Sequence, residues 1–201
     1  MLTWENRDGK YEQTPTYNFT HAVGVDPTIR DSVSFRLPVD DKLTRCIEDR
    51  AYSFQGFPLF VQIETPKLQR YFPGGHYIHH YDWFENHPII QGNRFSTFMV
   101  YLEANCSGGG TNFPQLSPPL ELLQPQWCDF IDCEESTEGG VTFKPIPGNG
   151  IYWHNLHRNG TGHAGTFHAA LPVTAGMKTG MNIWSYKTFD TEWNLNPELV
   201  S

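Results

Sequence analysis

The stretch Tyr71-Phe-Pro-Gly-Gly-His-Tyr-Ile-His-His-Tyr-Asp82 decides how the chain is read. Gly74-Gly75 marks a turn, and the aromatic run Tyr77 to Tyr81 behind it reads as an extended strand. On a strand, side chains two apart share a face. His80 and Asp82 therefore project an imidazole and a carboxylate side by side. His79 points to the opposite face. A helix would instead bring His76 and His80 together as a zinc pair, but the glycine turn and the aromatic alternation argue against a helix there.

A second histidine from far along the chain would complete a facial set of three ligands. Three adjacent metal positions then stay open, which is the geometry of non-haem Fe(II) oxygenases. Nine histidines compete for the third place. His168 is preferred because it lies in the extended apolar run Thr166-Phe-His-Ala-Ala-Leu171, with Lys178 following. A buried lysine there suits the remote carboxylate of a dicarboxylic cosubstrate such as 2-oxoglutarate. His154, His157 and His163 form another cluster, read as surface or loop residues.

Around this motif the chain reads as one domain over residues 1–201. Residues 1–33 are polar and weakly periodic, and are expected to form a surface arm. Asp40-Asp41 then precedes a helix over Lys42 to Phe54 whose stripe is Leu43, Ile47 and Ala51. Short strands are predicted at 59–63, 77–81, 95–102, 111–113, 141–145, 150–154, 166–171 and 182–186. Proline-rich residues 114–140 form a long insertion of the kind that is more often functional or disulfide-tied than idle. One early helix followed by many short strands points to a mainly β jelly roll with flanking helices.

Composition removes several function classes. Charged residues are 18% and the net charge is −8, with no Lys/Arg cluster to neutralise phosphates, so nucleic acid is not the expected partner. The longest apolar-rich run, Phe95 to Leu102, is too short to cross a bilayer. No amino-terminal signal peptide is visible. Four cysteines allow one disulfide among Cys106, Cys128 and Cys133 without fixing its pairing. Sequons at Asn18, Asn105 and Asn159 point mildly to a secretory, glycosylated protein. Oligomeric state stays open.

The pattern as a whole resembles the prolyl 4-hydroxylase branch of the Fe(II)/2-oxoglutarate-dependent dioxygenases over roughly residues 31–187. Tyr71, Gly74, Tyr77, His80 and Asp82 match the family's first motif, with Gly75 where a glutamine is usual. Arg94, Thr97, Tyr101 and Leu102 match the next strand. Gly109, Gly110, Thr111 and Phe113 match a glycine turn, one residue tighter than in many relatives. Residues 147–156 look like the strand before the distal histidine. His168, Pro172-Val173, Gly176 and Lys178 match the closing motif. Thr179 stands where many relatives carry Trp, and Tyr186 where some carry His; both are expected near the substrate side.

The resemblance implies a double-stranded β-helix binding Fe(II) through His80, Asp82 and His168. Lys178 would hold 2-oxoglutarate, aided by hydrogen bonds from Tyr71 and Thr111 and by Tyr101 and Asn182. Arg94, Tyr77, Trp184 and Trp83 would face a proline-containing peptide or protein substrate. Dioxygen is the implied oxidant and ascorbate the implied reductant. Two other readings keep different functions in view. One is the same iron chemistry on another amino-acid side chain or a small molecule. The other is a secreted jelly-roll binding module without catalysis.

Overall fold

A computed structural model describes residues 12–18, 21–85, 92–117, 125–133 and 139–188. Its elements in chain order are β1 (Glu12–Gln13), β2 (Thr16–Asn18), β3 (His21–Gly24), β4 (Arg30–Asp31), β5 (Val33–Arg36) and α1 (Lys42–Phe54). Then come β6 (Val61–Ile63), β7 (Lys67–Tyr71), β8 (His76–His80), β9 (Asn93–Gly108), β10 (Thr111–Phe113), β11 (Val141–Phe143), β12 (Gly150–His154), β13 (His168–Ala170) and β14 (Val173–Lys187). The larger sheet runs β1-β5-β7-β14-β9-β12, with β6 also paired to β14. The smaller sheet runs β11-β10-β13-β8-β4, and β2 pairs with β3 alone. The described pairings are antiparallel. These two sheets build the jelly-roll core expected from the sequence.

The two faces of the larger sheet have opposite chemistry. Period-two alternation sends Leu68 of β7 and Met181 and Ile183 of β14 outward. There they meet Ala51 of α1, with Phe35, Ile47, Phe98, Val100 and Leu102 packed around them. The other face carries Lys67, Gln69 and Tyr71 of β7, held in register with Asn182, Gly180 and Lys178 of β14. The apolar core thus lies outside the barrel, beneath the helix, and the inward face is left for polar chemistry.

Helix α1 begins where the sequence predicts. Asp41 caps it, its side chain accepting a hydrogen bond from the Leu43 N–H at 2.7 Å. Its buried stripe is rotated from the predicted one. Thr44, Ile47 and Ala51 face the sheet, whereas Leu43 remains exposed. The predicted strand at 59–63 shrinks to Val61–Ile63, because Phe60 adopts a φ of 60°, which breaks extended backbone. Strand β9 runs on to Gly108, well beyond Leu102.

The expected surface arm is corrected over its later part. Arg30 of β4 pairs with Tyr77 on the edge of the smaller sheet, and β5 pairs with β7 in the larger one. Thr14, Arg30 and Ser32 are buried. Residues 1–11 lie outside the described residues. In the insertion at 114–140, residues 118–124 and 134–138 lie outside them too. Cys128 and Cys133 form the disulfide there, with a Cα separation of 5.4 Å, and Cys46 and Cys106 are free thiols.

These facing assignments separate two leucines. Leu68 is 2% exposed and Leu43 is 40% exposed. Leu68→Ala is expected to cost about 2–4 kcal/mol in urea unfolding, and Leu43→Ala less than about 1 kcal/mol. The reverse order would reject the rotated stripe.

Candidate metal centre and its surroundings

Strands β8 and β13 lie side by side, and His168 is the direct cross-strand neighbour of His80. Asp82 follows at the end of β8. Ligand atoms from His80, Asp82 and His168 all lie within 4.8 Å of one another. The Nε2 atoms of His80 and His168 are each 3.8 Å from an oxygen of Asp82, one on each oxygen. Among the described residues this is the one such group of three donors.

The orientation of each ring is set by a carbonyl two residues upstream. His80 Nδ1 donates to the Ile78 carbonyl at 2.8 Å, and His168 Nδ1 donates to the Thr166 carbonyl at 2.8 Å. A carbonyl only accepts, so the proton sits on Nδ1 and the Nε2 lone pair is left for a metal. Burial, with the neighbouring His168, pushes the His80 imidazole well below its ordinary pKa, which keeps it neutral as a ligand must be. Burial alone would raise the Asp82 carboxyl, but His168, His80 and Arg94 outweigh it and hold the group ionised. Two neutral imidazoles and one carboxylate with open surroundings fit Fe(II).

A hydrogen-bond chain anchors the carboxylate from behind. Trp153 Nε1 donates to Asn155 Oδ1 at 2.7 Å, Asn155 Nδ2 to Thr97 Oγ1 at 2.8 Å, and Thr97 Oγ1 to Asp82 Oδ2 at 2.8 Å. Asn155 and Thr97 are fully buried. Trp153 and Phe113 also wall His168, with ring centroids 4.9 and 5.4 Å away. The sequence offered Thr97 only as a matching position and gave no role to Asn155 or Trp153.

Lys178 lies at one end of the inward face. It is 3% exposed, stands over the Tyr71 ring at 4.7 Å and donates to the Gly109 carbonyl at 2.6 Å. Burial lowers its pKa to about 8. Gly109 has a φ of 73°, the left-handed region that favours glycine, and a side chain there would crowd Val173, so glycine lets the loop turn this carbonyl toward the amine. Tyr101 donates to Thr111 Oγ1 at 2.8 Å, which leaves the Thr111 hydroxyl proton free to donate to a ligand.

The remaining predicted residues divide. Tyr71 meets Lys178 with its ring face, while its hydroxyl donates to Gln69 at 2.9 Å. Asn182 pairs with Lys67, four residues down β14 from Lys178 and about 13 Å away along the strand, so it belongs to the other end of the barrel and not beside the cosubstrate lysine. Tyr77 stacks on His80 at 3.6 Å. Strict alternation would turn it away, but the register shifts by one between His168 and Ala170, and that bulge lets residues 77 and 80 both face inward.

Arg94 lies over the Trp184 ring at 3.9 Å and holds both oxygens of Glu64 at 2.7 and 3.0 Å. Trp83 is a correction. Its ring packs against Tyr81 at 4.6 Å and over Gly162. Thr179 is another, since it faces outward with Arg70 at 3.1 Å and Glu103 at 3.2 Å. Tyr186 pairs with Arg94 across β14 and β9. Arg30, missed as part of the arm, lies over Tyr77 at 4.4 Å. His79 turns to Asn112 at 2.8 Å, as expected of a non-ligand.

Removing the anchor should loosen the ion without removing a ligand. Thr97→Val and Asn155→Ala are each expected to weaken Fe(II) binding about 10–100-fold, against near-complete loss in His80→Ala, read by metal titration of the purified protein. Wild-type affinity in both anchor variants would show that the chain of hydrogen bonds does not position Asp82.

Comparison with known proteins agrees with this geometry. Residues 66–186 match the family described as the 2OG-Fe(II) oxygenase superfamily. A prolyl 4-hydroxylase subunit alpha-2 of Gallus gallus is 29% identical over 152 residues, covering 74% of this chain and 24% of that protein. The chain therefore spans about a quarter of that relative. Among solved structures, the viral collagen prolyl hydroxylase of Paramecium Bursaria Chlorella virus-1 shares the fold at a TM-score of 0.59 and 24% identity, covering 79% of this chain and 80% of that one. A Trichoplax adhaerens prolyl hydroxylase, solved in complex with a hypoxia inducible factor peptide fragment, gives a TM-score of 0.53 at 19% identity, covering 94% and 74%. With most of its β core inside the matched region and the three donors in place, this chain belongs to the 2OG-Fe(II) oxygenase superfamily.

Proposed function

We propose that the protein hydroxylates prolyl residues in a peptide or protein. The observation that carries this reading is the gathering of Arg94, Trp184 and Tyr77 about the triad, with Arg94 over the Trp184 ring and reaching the Asp82 carbonyl at 3.4 Å, and Tyr77 stacked on the ligand His80 itself. Flat aromatic faces beside a guanidinium suit a pyrrolidine ring and the carbonyls around it. Relatives named prolyl 4-hydroxylases support the same substrate class.

Fe(II) with 2-oxoglutarate, when bound, supplies oxygen activation coupled to decarboxylation of the cosubstrate and hydroxylation of a C–H bond. The chain's own residues do the rest. His80, Asp82 and His168 hold the ion from one side. Lys178 and the Thr111 hydroxyl receive the far carboxylate of 2-oxoglutarate, and Tyr101 holds Thr111 in place. Tyr77, Trp184 and Phe113 narrow the approach and keep water away from the reacting centre. Ascorbate as reductant follows from likeness to the prolyl 4-hydroxylases. A secretory compartment is part of the same proposal, supported by the Cys128–Cys133 disulfide and the sequons.

Succinate release with and without proline-containing peptides tests the reading, together with a product mass raised by one oxygen. Peptide-stimulated release with a hydroxylated prolyl product is the expected result. Release that no peptide stimulates would move the substrate to another class. The lysine gives a pH signature. Its charge is present below about pH 8 and lost above it, so 2-oxoglutarate affinity should fall as pH rises through that value. Lys178→Met should weaken binding at least about 10-fold and flatten the profile. Unchanged affinity in that variant would remove Lys178 from the cosubstrate site.

A further inference from the structure

Strand β7 carries Lys67, Gln69 and Tyr71 on its inward face, and cross-strand register sets Lys67 between Arg36 of β5 and Asn182 of β14. Lys67 is only 7% exposed. Its ammonium makes no hydrogen bond to any described residue. Desolvation lowers its pKa to about 8, and Arg30, Arg36 and Arg94 push in the same direction, with Glu64 alone opposing them. Glu64 is already held at both oxygens by Arg94. Close by, Arg30 Nη2 and Gln69 Nε2 are buried donors without a partner.

Buried donors and charges are normally paired, because leaving them bare costs more than a hydrogen bond returns. Here the shortage among the described residues is one-sided: Lys67, Arg30, Arg36 and Arg94 gather around a single carboxylate, Glu64, inside a chain whose net charge is −8. The cosubstrate cannot supply the missing anion. Lys67 is four residues along β7 from Tyr71, the partner of Lys178, hence about 13 Å from the amine end of the barrel. A carboxylate held at Lys178 does not reach it. The other ligand, a peptide bound at the mouth, can bring a matching acceptor to this end.

We infer that Lys67 is a specificity-determining residue that selects substrates bearing a carboxylate near the target prolyl residue. The inference rests on the proposed prolyl substrate and adds its charge. The carboxylate can come from an Asp or Glu side chain beside the proline or from a free peptide carboxyl terminus; the chemistry at Lys67 is the same.

Binding of fluorescent proline peptides to the metal- and 2-oxoglutarate-loaded protein tests this, with product mass measured in parallel. Peptides carry Glu or Gln beside the proline, each with a free or amidated carboxyl terminus. Wild type should bind one carboxylate form about 10-fold more tightly than its neutral counterpart, and the arm showing the preference identifies the source. In Lys67→Gln the preference should shrink to about 2-fold or less, and Lys67→Arg should retain it. Equal wild-type binding of charged and neutral peptides, or a preference that survives in Lys67→Gln, overturns the inference. Hydroxylation without charge preference would leave the prolyl reading standing and this one fallen. Carboxylate-selective binding with no hydroxylated product would do the reverse.

Discussion

Two imidazoles and a carboxylate crowded within 4.8 Å in a mostly buried place are the constraint to which the rest of the molecule answers. Such a group is costly to bury, and it ligates a metal only when the rings are neutral and the carboxyl is ionised. The fold meets both demands with local devices. Each ring gives its Nδ1 proton to a carbonyl two residues upstream, Ile78 in β8 for His80 and Thr166 in the turn before β13 for His168. That contact is not diagnostic alone, since His76 makes the same one to Gly74 and ligates nothing. What distinguishes His80 and His168 is that antiparallel pairing of β8 with β13 turns both free nitrogens toward one carboxylate.

The carboxylate in turn depends on the larger sheet. Thr97 of β9 reaches across the barrel to Asp82, and Asn155, just past β12, holds Thr97. The centre therefore couples the two sheets through side chains, while backbone ladders hold each sheet by itself. Placing the main apolar cluster outside the barrel makes this arrangement affordable. Helix α1 and the outward faces of β7, β9 and β14 supply the hydrophobic stabilisation. The inward face is then free to carry Lys178, Thr111, Tyr101 and the triad, none of which could be spared for packing.

What was legible in the sequence followed from local rules. His80 and Asp82 could be paired because they are two residues apart, and α1 because an acidic cap precedes an apolar repeat. His168 and Lys178 could be picked out by their extended apolar run and mutual spacing, which the resemblance then matched, although no local rule joins strands so far apart in the chain. The phase of the helix stripe was misread because Thr44 buries its small side chain while Leu43 does not. Tyr77 could be placed inward only through the bulge beside Ala170, which leaves no mark in residue type. Arg30 and Ser32 sit in a stretch whose polarity reads as solvent-exposed; their burial is decided by β4 and β5 closing the edges of the two sheets. Asn155, a polar residue next to the exposed His154, gave no signal of its own, and its role exists only once Thr97 is beside it.

The inward face of the larger sheet has two ends, and they carry the same sign of charge for different reasons. At one end Lys178 is matched by the Gly109 carbonyl and the Tyr71 ring, a finished cradle that waits for one carboxylate. At the other end Lys67 is nearly buried, Arg30 Nη2 and Gln69 Nε2 are buried donors without a partner among the described residues, and the nearby Glu64 carboxylate is taken by Arg94. Between them stands Asp82, itself claimed by the metal centre and Thr97. The inward face keeps cations at both ends because the apolar packing that stabilises the sheet lies on its outer face, against α1.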